Sequence, residues 1–279
     1  MAIKAYKPTT PGRRFASVSD WKHEVTKSEP EKSLLVEKRR KAGRNNQGKI
    51  TMRHRGGGAK RKIRLVDFLQ NKLDIPGKVI GIEYDPNRSA RIALLQYPDG
   101  EKKYILASAD LKPGMEVVSS NKRTEINPSN RMPLKEIPVG MQIYNLELVP
   151  GHGGIAVRSA GSWGTVMAVE GNMAQVKMSS GEIRSIPGNA KASLGQVSNI
   201  EHRNVRLGTA GRRRHMGFRP TVRGKVMNPV DHPHGGGEGN QPIGMKHPKT
   251  PWGKPALGVK TRKKGKYSSR FILKTRKSK

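Results

Sequence analysis

Val79-Ile80-Gly81-Ile82-Glu83-Tyr84, then Asp85-Pro86-Asn87-Arg88-Ser89, then Ile92-Ala93-Leu94-Leu95-Gln96-Tyr97 is the stretch that decides the fold class. Two aliphatic and aromatic runs flank a cluster of turn formers, which is the pattern of strand, turn and strand. Pro98-Asp99-Gly100-Glu101 adds a hairpin signal and leads into Tyr104, Ile105 and Leu106. A further short strand is expected over Met115 to Val118, after Pro113-Gly114. Short strands with turn cues about every ten residues predict a small barrel, and residues 65–127 suit an OB-like one.

Toward the C-terminus, Ile143, Leu146 and Leu148 precede the break Pro150-Gly151-His152-Gly153-Gly154. Apolar runs at Trp163 to Val169, Ala174 to Met178 and Ile183 to Ile186 are divided by Gly171-Asn172 and Ser180-Gly181 turns. Hairpins this tight predict a second, SH3-like barrel over residues 128–200. Toward the N-terminus, residues 1–64 suggest an extended basic arm. One short helix is expected there over Glu31 to Arg40, with Pro30 at its start and Gly43 ending it. From 201 to 279, Gly, Pro and cations dominate, so a second basic extension with sparse regular structure is expected. The expected class is mainly β, with an OB-fold barrel, an SH3-like barrel and long basic extensions at both ends.

Charge separates these regions. The net charge is +34, from 55 Lys and Arg against 21 Asp and Glu. Cations number 19 against 5 acids in residues 1–64, 15 against 13 in 65–200, and 21 against 3 in 201–279. Residues 38–64 hold twelve cations and residues 240–279 thirteen, neither with a single acid. Such arms repel themselves in water and gain stability against a polyanion, where each neutralised phosphate releases counterions. A solvated charged face is the bland alternative, and the length of both acid-free runs argues against it.

Other classes are narrowed by what the chain lacks. There is no cysteine, which excludes disulfides, thiolate metal sites and Cys nucleophiles. Met1 to Pro8 lack the apolar stretch of a secretory signal, and no run approaches the roughly 18–20 apolar residues of a membrane span. A soluble protein working where it is made is expected. The arms show no amphipathic helix with an apolar face, so no membrane partner is expected. DNA remains open as a partner alongside RNA.

Several motifs invite sharper chemistry. Gly43-x4-Gly48-Lys49 has phosphate-loop spacing, but Ile50 stands where Ser or Thr must ligate magnesium, and neither flanking strand nor helix is legible. A nucleoside triphosphate site is rejected. Gly56-Gly57-Gly58 lies between Arg53-His54-Arg55 and Lys60-Arg61-Lys62, and Gly235-Gly236-Gly237 follows His232-Pro233-His234. Missing side chains let a backbone lie close to another backbone or offer N–H groups to phosphate, so close approach to folded nucleic acid is expected. Asp231, His232, His234 and Glu238 have metal-ligand or general-base character, but Pro233 and the glycines fix little geometry and no nucleophile is identifiable. No metal site and no resident cofactor are expected, beyond Mg2+ associated with RNA.

The residues expected to touch RNA follow from these clusters. In the N-terminal arm they are Arg39, Arg40, Arg44, Lys49, Arg53, His54, Arg55, Lys60 and Arg61, with glycines 56–58. In the barrels, Arg88 and Arg158 stand out because their surroundings are otherwise charge-balanced. In the C-terminal extension they are Arg212, Arg213, Arg214, Arg219, Arg223, Asn228, His232, His234, glycines 235–237, Lys263 and Lys264. Aromatics are scarce, with three Trp, four Phe and six Tyr, and no stacking platform of single-strand readers is visible. Recognition through backbone and shape is expected.

At this level of detail the chain resembles a known family. Gly43-Arg44-Asn45-Asn46-Gln47-Gly48-Lys49-Ile50-Thr51 with Arg53-His54-Arg55-Gly56-Gly57-Gly58 is similar to the N-terminal signature of the L-two family of large-subunit ribosomal proteins. Tyr84 to Ala90 and Val157 to Gly161 resemble loops of its two barrels. Arg219-Pro220-Thr221-Val222-Arg223-Gly224 and Met227 to Gly239 resemble its long C-terminal signature. Ala59 departs from the pattern, since the family typically carries His there.

The resemblance implies a structural constituent of the large subunit and a primary binder of its ribosomal RNA, cytoplasmic and on the ribosome. It also implies support of tRNA binding near the peptidyl transferase region, a bridge to small-subunit RNA, and neighbouring ribosomal proteins as partners. A His matched by His232 has been suggested, and disputed, as a participant in peptide-bond formation. Here no enzyme activity is expected: peptide transfer is assigned to the RNA and His232 to a structural or RNA-contacting role. Spelling and length of the signatures resemble the bacterial type.

Overall fold

The computed structural model describes residues 3–263 and 265–276. It divides into two compact units: unit 1 comprises Met1–Arg39, Lys60–Arg212 and Arg270–Lys279, and unit 2 comprises Arg40–Ala59 and Arg213–Ser269. Lys264 lies outside the described residues.

Unit 1 begins with β1 (Ile3–Ala5), the four-residue helix α1 (Pro11–Arg14) and β2 (Ser17–Ser19), which pairs antiparallel with β1. Thr10 caps α1 by accepting from the Arg13 N–H, and Pro11 occupies the first turn, where its missing donor costs nothing. The helix expected over Glu31 to Arg40 does not form. Instead a single 3-10 turn at Lys32–Leu34 passes into β3 (Leu35–Glu37), which pairs with β4 (Lys62–Arg64). Leu34 packs on the barrel and the Leu35–Glu37 backbone is taken up by β4, so tertiary pairing overrides local preference.

The first barrel contains β5 (Gly77–Glu83), β6 (Ile92–Gln96), β7 (Lys102–Leu106) and β8 (Glu116–Val117), in the order β7-β6-β5-β8. All four fall on the apolar runs of the sequence. A bulge at Ile80 shifts the β5–β6 register between Val79↔Leu95 and Gly81↔Leu94. Val79, Ala93, Leu95, Ile105 and Val117 are buried on one side of this sheet. Ile92, Leu94 and Tyr104 are buried on the other, under Leu34 and Val66. Burial on both faces explains why β6 is unbroken Ile-Ala-Leu-Leu without polar alternation.

The cover of that second face comes from the N-terminal segment. Thr26 and Lys27 donate their backbone N–H groups to the Ile82 carbonyl, and the Glu31 N–H donates to the Tyr104 hydroxyl at 2.8 Å. Tyr104 in turn donates to Glu83 at 2.6 Å, and Lys27 pairs with Glu83 at 3.6 Å. A Cβ on Gly81 would meet Lys27 Cβ at 3.1 Å, so glycine is what lets the segment cross this strand. Residues 24–37 are therefore held by protein, not left extended.

The second barrel is built on a seven-stranded sheet of β9 (Arg131–Pro133), β10 (Gln142–Tyr144), β11 (Gly164–Glu170), β12 (Met173–Lys177), β13 (Ile183–Pro187), β14 (Lys191–Leu194) and β15 (Ile272–Lys274). Their order is β15-β13-β12-β11-β10-β14-β9. β10 to β13 match the expected runs; β9, β14 and β15 were not legible. The chain is mainly β, with an OB-fold followed by an SH3-like fold.

Within unit 1, buried polar groups tie the second barrel to the first and fasten the second internally. The Tyr144 hydroxyl, fully buried, bonds to the Leu106 carbonyl and to Ser129, and burial pushes its ionisation up to about 12. Arg131, with no solvent exposure, donates to the Asn145 carbonyl and to Glu147, each at 2.8 Å. Glu147 also accepts from the Gly151 and Lys191 backbone N–H groups. Such extra bonds offset the cost of burying the pair, although the Arg131 Nε finds no partner among the described residues.

Unit 2 is built differently. Its backbone contacts are isolated bridges, Arg44↔Ile50, Arg55↔Phe218 and Lys249↔Pro255, and tight turns. Among the described residues it has no buried apolar side chain, and its one buried residue is His232. The short helix α2 (Ala210–His215) contains the division between the two units.

Candidate nucleic-acid interface

In unit 1 the two singled-out arginines meet on one ring. The Arg88 guanidinium lies 5.4 Å and that of Arg158 4.5 Å from the centre of Phe68. The Asp85-Pro86-Asn87-Arg88-Ser89 turn positions Arg88: buried Asp85 accepts from its Nε at 2.6 Å and from the Asn87 N–H. Arg158 donates to the Gly154 carbonyl at 3.0 Å and has no carboxylate partner among the described residues. Burial, and then the like charge of Arg88, disfavour its ionised form. Two guanidiniums so placed, only one of them with a carboxylate partner, form a site short of negative charge.

The basic stretch 60–64 is fastened to the same turn. Arg61 donates to the Pro86 carbonyl at 2.8 Å, Asn87 donates to the Lys62 carbonyl, and Lys38 donates to Asn87. Arg39 and Lys60 are exposed. Lys60 faces Glu37 at 3.8 Å across open solvent, where such pairs contribute little. Arg212 is turned inward, donating to the carbonyls of Ser17 and Leu207.

Unit 2 repeats the arginine–phenylalanine arrangement. Phe218 has Arg55 at 3.9 Å from its ring centre and Arg213 at 5.3 Å. Around it, residues 54–59 run against 215–219: the Arg219 N–H donates to the His54 carbonyl, Gly56 to Gly217, and Ala59 to His215. A Cβ on Gly58 would stand 3.0 Å from Gly217 Cα, so this glycine permits backbone to lie on backbone within the protein. Gly57 is left-handed at φ +65 and exposed. Arg214 keeps a buried Nη1 that has no hydrogen-bond partner among the described residues. Arg40, Arg44, Lys49, Arg53, Arg219, Arg223, Asn228 and Lys263 are exposed.

The Gly43–Lys49 loop has no phosphate cradle. Asn45 accepts from the Gln47 and Lys49 N–H groups, and Gly43 accepts from Thr51 and Met52, making a closed polar turn. The 227–237 segment is wound as tightly. His232 Nδ1 accepts from the His234 N–H at 3.0 Å, and His234 Nε2 accepts from the Lys249 N–H at 2.9 Å. Both rings must be neutral to accept. Burial, with His234 and Arg53 nearby, pushes the His232 ionisation below its ordinary value. A Cβ on Gly224 would press on the His232 ring, and one on Gly235 would collide with the Asn228 carbonyl. Gly236 and Gly237 are left-handed. Among the described residues no three His, Asp or Glu converge as a metal-binding group.

Sequence reasoning named the arginines and not the rings they stack on. Phe68 and Phe218 gave no signal, because the residues stacked on them lie up to 163 positions away (Arg55 to Phe218). Nor did composition reveal that the glycines serve protein packing as much as exposure.

A unit of two fused β-barrels and a cation-dense unit with no buried apolar side chain among the described residues define a structural nucleic-acid-binding protein. The family model for Ribosomal Proteins L2, RNA binding N-terminal domain, matches residues 31–119, and that for Ribosomal Proteins L2, C-terminal domain, matches residues 127–253. The chain belongs to the ribosomal protein L2 family, structural, RNA-binding proteins of the large ribosomal subunit.

Proposed function

We propose that this protein is a primary binder of large-subunit ribosomal RNA in the cytoplasm, supporting tRNA binding at the peptidyl transferase region and contact with small-subunit RNA. The carrying observation is unit 2: 19 Lys and Arg, 2 Asp and Glu, and no buried apolar side chain among the described residues. Only a polyanion balances such a composition. The RNA-contacting set is the one named above, with Arg88–Phe68–Arg158 and Arg55–Phe218–Arg213 as two preformed phosphate sites and RNA-associated Mg2+ nearby. Barrels over 65–127 and 128–200 carry the two basic extensions. Neighbouring ribosomal proteins complete the partner set, and the signatures favour a bacterial source.

Titration of the full chain against a large-subunit RNA transcript at several salt concentrations tests the reading. Log affinity should fall against log salt with a slope of roughly −0.7 to −0.9 per phosphate contacted. A flat response, or equal competition by a DNA duplex of the same length, would refute it. His232→Ala subunits should assemble and still transfer peptide; intact assembly with transfer abolished would instead make His232 a participant in the chemistry.

A further inference from the structure

Three tryptophans occur in the chain, and they differ in what they touch. Trp21 stacks on Tyr84 with ring centres 4.3 Å apart, and Arg91 approaches both rings. Trp163, just before β11, is 43% exposed and likewise has no ring or guanidinium partner among the described residues, but its surroundings in unit 1 are charge-balanced. Trp252 is 70% exposed, and no aromatic ring or guanidinium of the described residues packs against it.

Its backbone is not loose. The Gly253 N–H donates to the Thr250 carbonyl at 2.9 Å, Thr250 donates to the Lys254 carbonyl at 2.8 Å, and Ala256 donates to Pro248. Gly253 is left-handed at φ +75, the Thr250 hydroxyl accepts from the Lys254 N–H, and Lys249 bridges to Pro255. This is a three-residue hairpin closed by a left-handed glycine and stiffened by Pro248, Pro251 and Pro255. The indole sits at its tip. Lys246, Lys249 and Lys254 surround it in sequence, and no Asp or Glu occurs from residue 239 to the end.

A displayed indole on a hydrogen-bonded turn, among cations and without an aromatic or guanidinium partner among the described residues, has the elements of a base-stacking platform. Stacking demands a flat face held in place, and the neighbouring lysines supply the phosphate attraction that brings the strand to it. We propose that Trp252 receives one unpaired nucleobase of the bound RNA on its indole face. The proposal rests on the RNA-binding reading and adds to it a local contact with an extruded base, where the rest of unit 2 offers contacts to backbone.

The test uses the full chain with Trp21→Phe and Trp163→Phe, leaving Trp252 as the only fluorophore of its kind, and a large-subunit RNA transcript as probe. Saturating RNA should quench the indole and shield it from acrylamide. In the otherwise wild-type chain, Trp252→Ala should weaken binding by about 5- to 150-fold, the range of one lost base–aromatic stack, with the salt slope unchanged because no cation is removed. Trp252→Phe should restore most of the loss. Trp252 lies on the surface, so circular dichroism of the variant should match the parent. An indole still open to acrylamide at saturation, or a Trp252→Ala chain binding as tightly as the parent, would overturn the proposal. That second result includes the case in which the indole serves a protein neighbour instead. If the parent itself fails to bind the transcript, the RNA-binding reading falls and this one with it.

Discussion

Unit 1 and unit 2 carry the same net charge, +17 each, but spread over very different chains. In unit 1, 36 cations face 19 acids across 202 residues; in unit 2, 19 cations face 2 acids across 77. The acids of unit 1 are used: Asp85, Glu83, Glu24 and Glu147 each hold a cation or a backbone donor in place. Unit 1 also has the apolar interior to fold around them. Among the described residues, unit 2 has neither device. Its residues are joined by backbone hydrogen bonds at tight turns and by arginines on Phe218, interactions that in water are offset by solvation and self-repulsion. Equal charge thus hides two kinds of order, one internal and one completed by a counterion.

The largest effect should separate the two directly. Without RNA, proteinase K should cut first within 40–59 and 213–269, leaving a unit 1 core, and RNA should protect both segments. Arg131→Leu should then remove the resistance of unit 1, because Glu147 is left charged, buried and unpaired. The expected loss is about 3–5 kcal/mol, read as a lowered urea midpoint. RNA-free protein cut at equal rates in both units would break the comparison.

The same contrast explains what the sequence disclosed. Strands β5 to β8 and β10 to β13 were legible because burial imposes apolar runs and the turns between them need Gly, Asn and Asp. β3 was misjudged as helix because its reason to be extended, pairing with Lys62–Arg64, lies 25 residues further on. β15 was invisible for the same cause: Ile272–Lys274 sits in a cationic tail and is a strand only by virtue of β13. At the candidate interface, charge named Arg88, Arg158 and Arg55, since composition registers cations directly. Position could not be named, since Phe68 and Phe218 are ordinary apolar residues until the fold brings two guanidiniums to each. The acceptor roles of His232 and His234 were likewise closed to a reading by residue type.

A smaller effect sharpens the comparison at those rings. Phe68→Leu and Phe218→Leu leave every charge in place but remove the face on which the arginines rest. Each cation–π contact at an exposed site contributes about 0.5–1 kcal/mol, so two per ring correspond to roughly 5- to 30-fold weaker RNA binding. The salt slope should stay at the parent value, because the number of neutralised phosphates is unchanged. In unit 1 the barrel still holds Arg88 through Asp85, so the loss should lie at the low end. In unit 2 no carboxylate holds Arg55 or Arg213 among the described residues, and the loss should be larger. Equal losses in the two units would show that protein anchoring does not preorganise the arginines.

The smallest effects are opposite pH dependences from one buried ionisable group in each unit. Glu83 in unit 1 is 2% exposed, and burial raises its ionisation above the ordinary 4.5, with Tyr104 and Lys27 only partly opposing. Its folded form takes up a proton before the unfolded one does. Stability of unit 1 from this group should therefore rise as pH falls through the raised value, be fully gained below 4.5, and be lost as pH rises again. Glu83→Gln should flatten that segment of the urea-midpoint profile. His232 in unit 2 is displaced the other way: burial, His234 and Arg53 hold it below 6.5, so the unfolded chain binds the proton first. Its contribution is present above 6.5 and declines as pH falls through the lowered value. The bond it accepts from the His234 N–H disappears on protonation, since Nδ1 is then a donor. Hydrogen exchange on the RNA-bound chain, corrected for the intrinsic rate, should show protection of the 232–236 segment decreasing below pH 6.5. His232→Asn, which keeps an uncharged acceptor near that position, should hold protection constant. Protection that survives acid in the parent would mean the turn is fixed by the Asn228 and Met227 carbonyls alone, and that its histidines are there for the RNA.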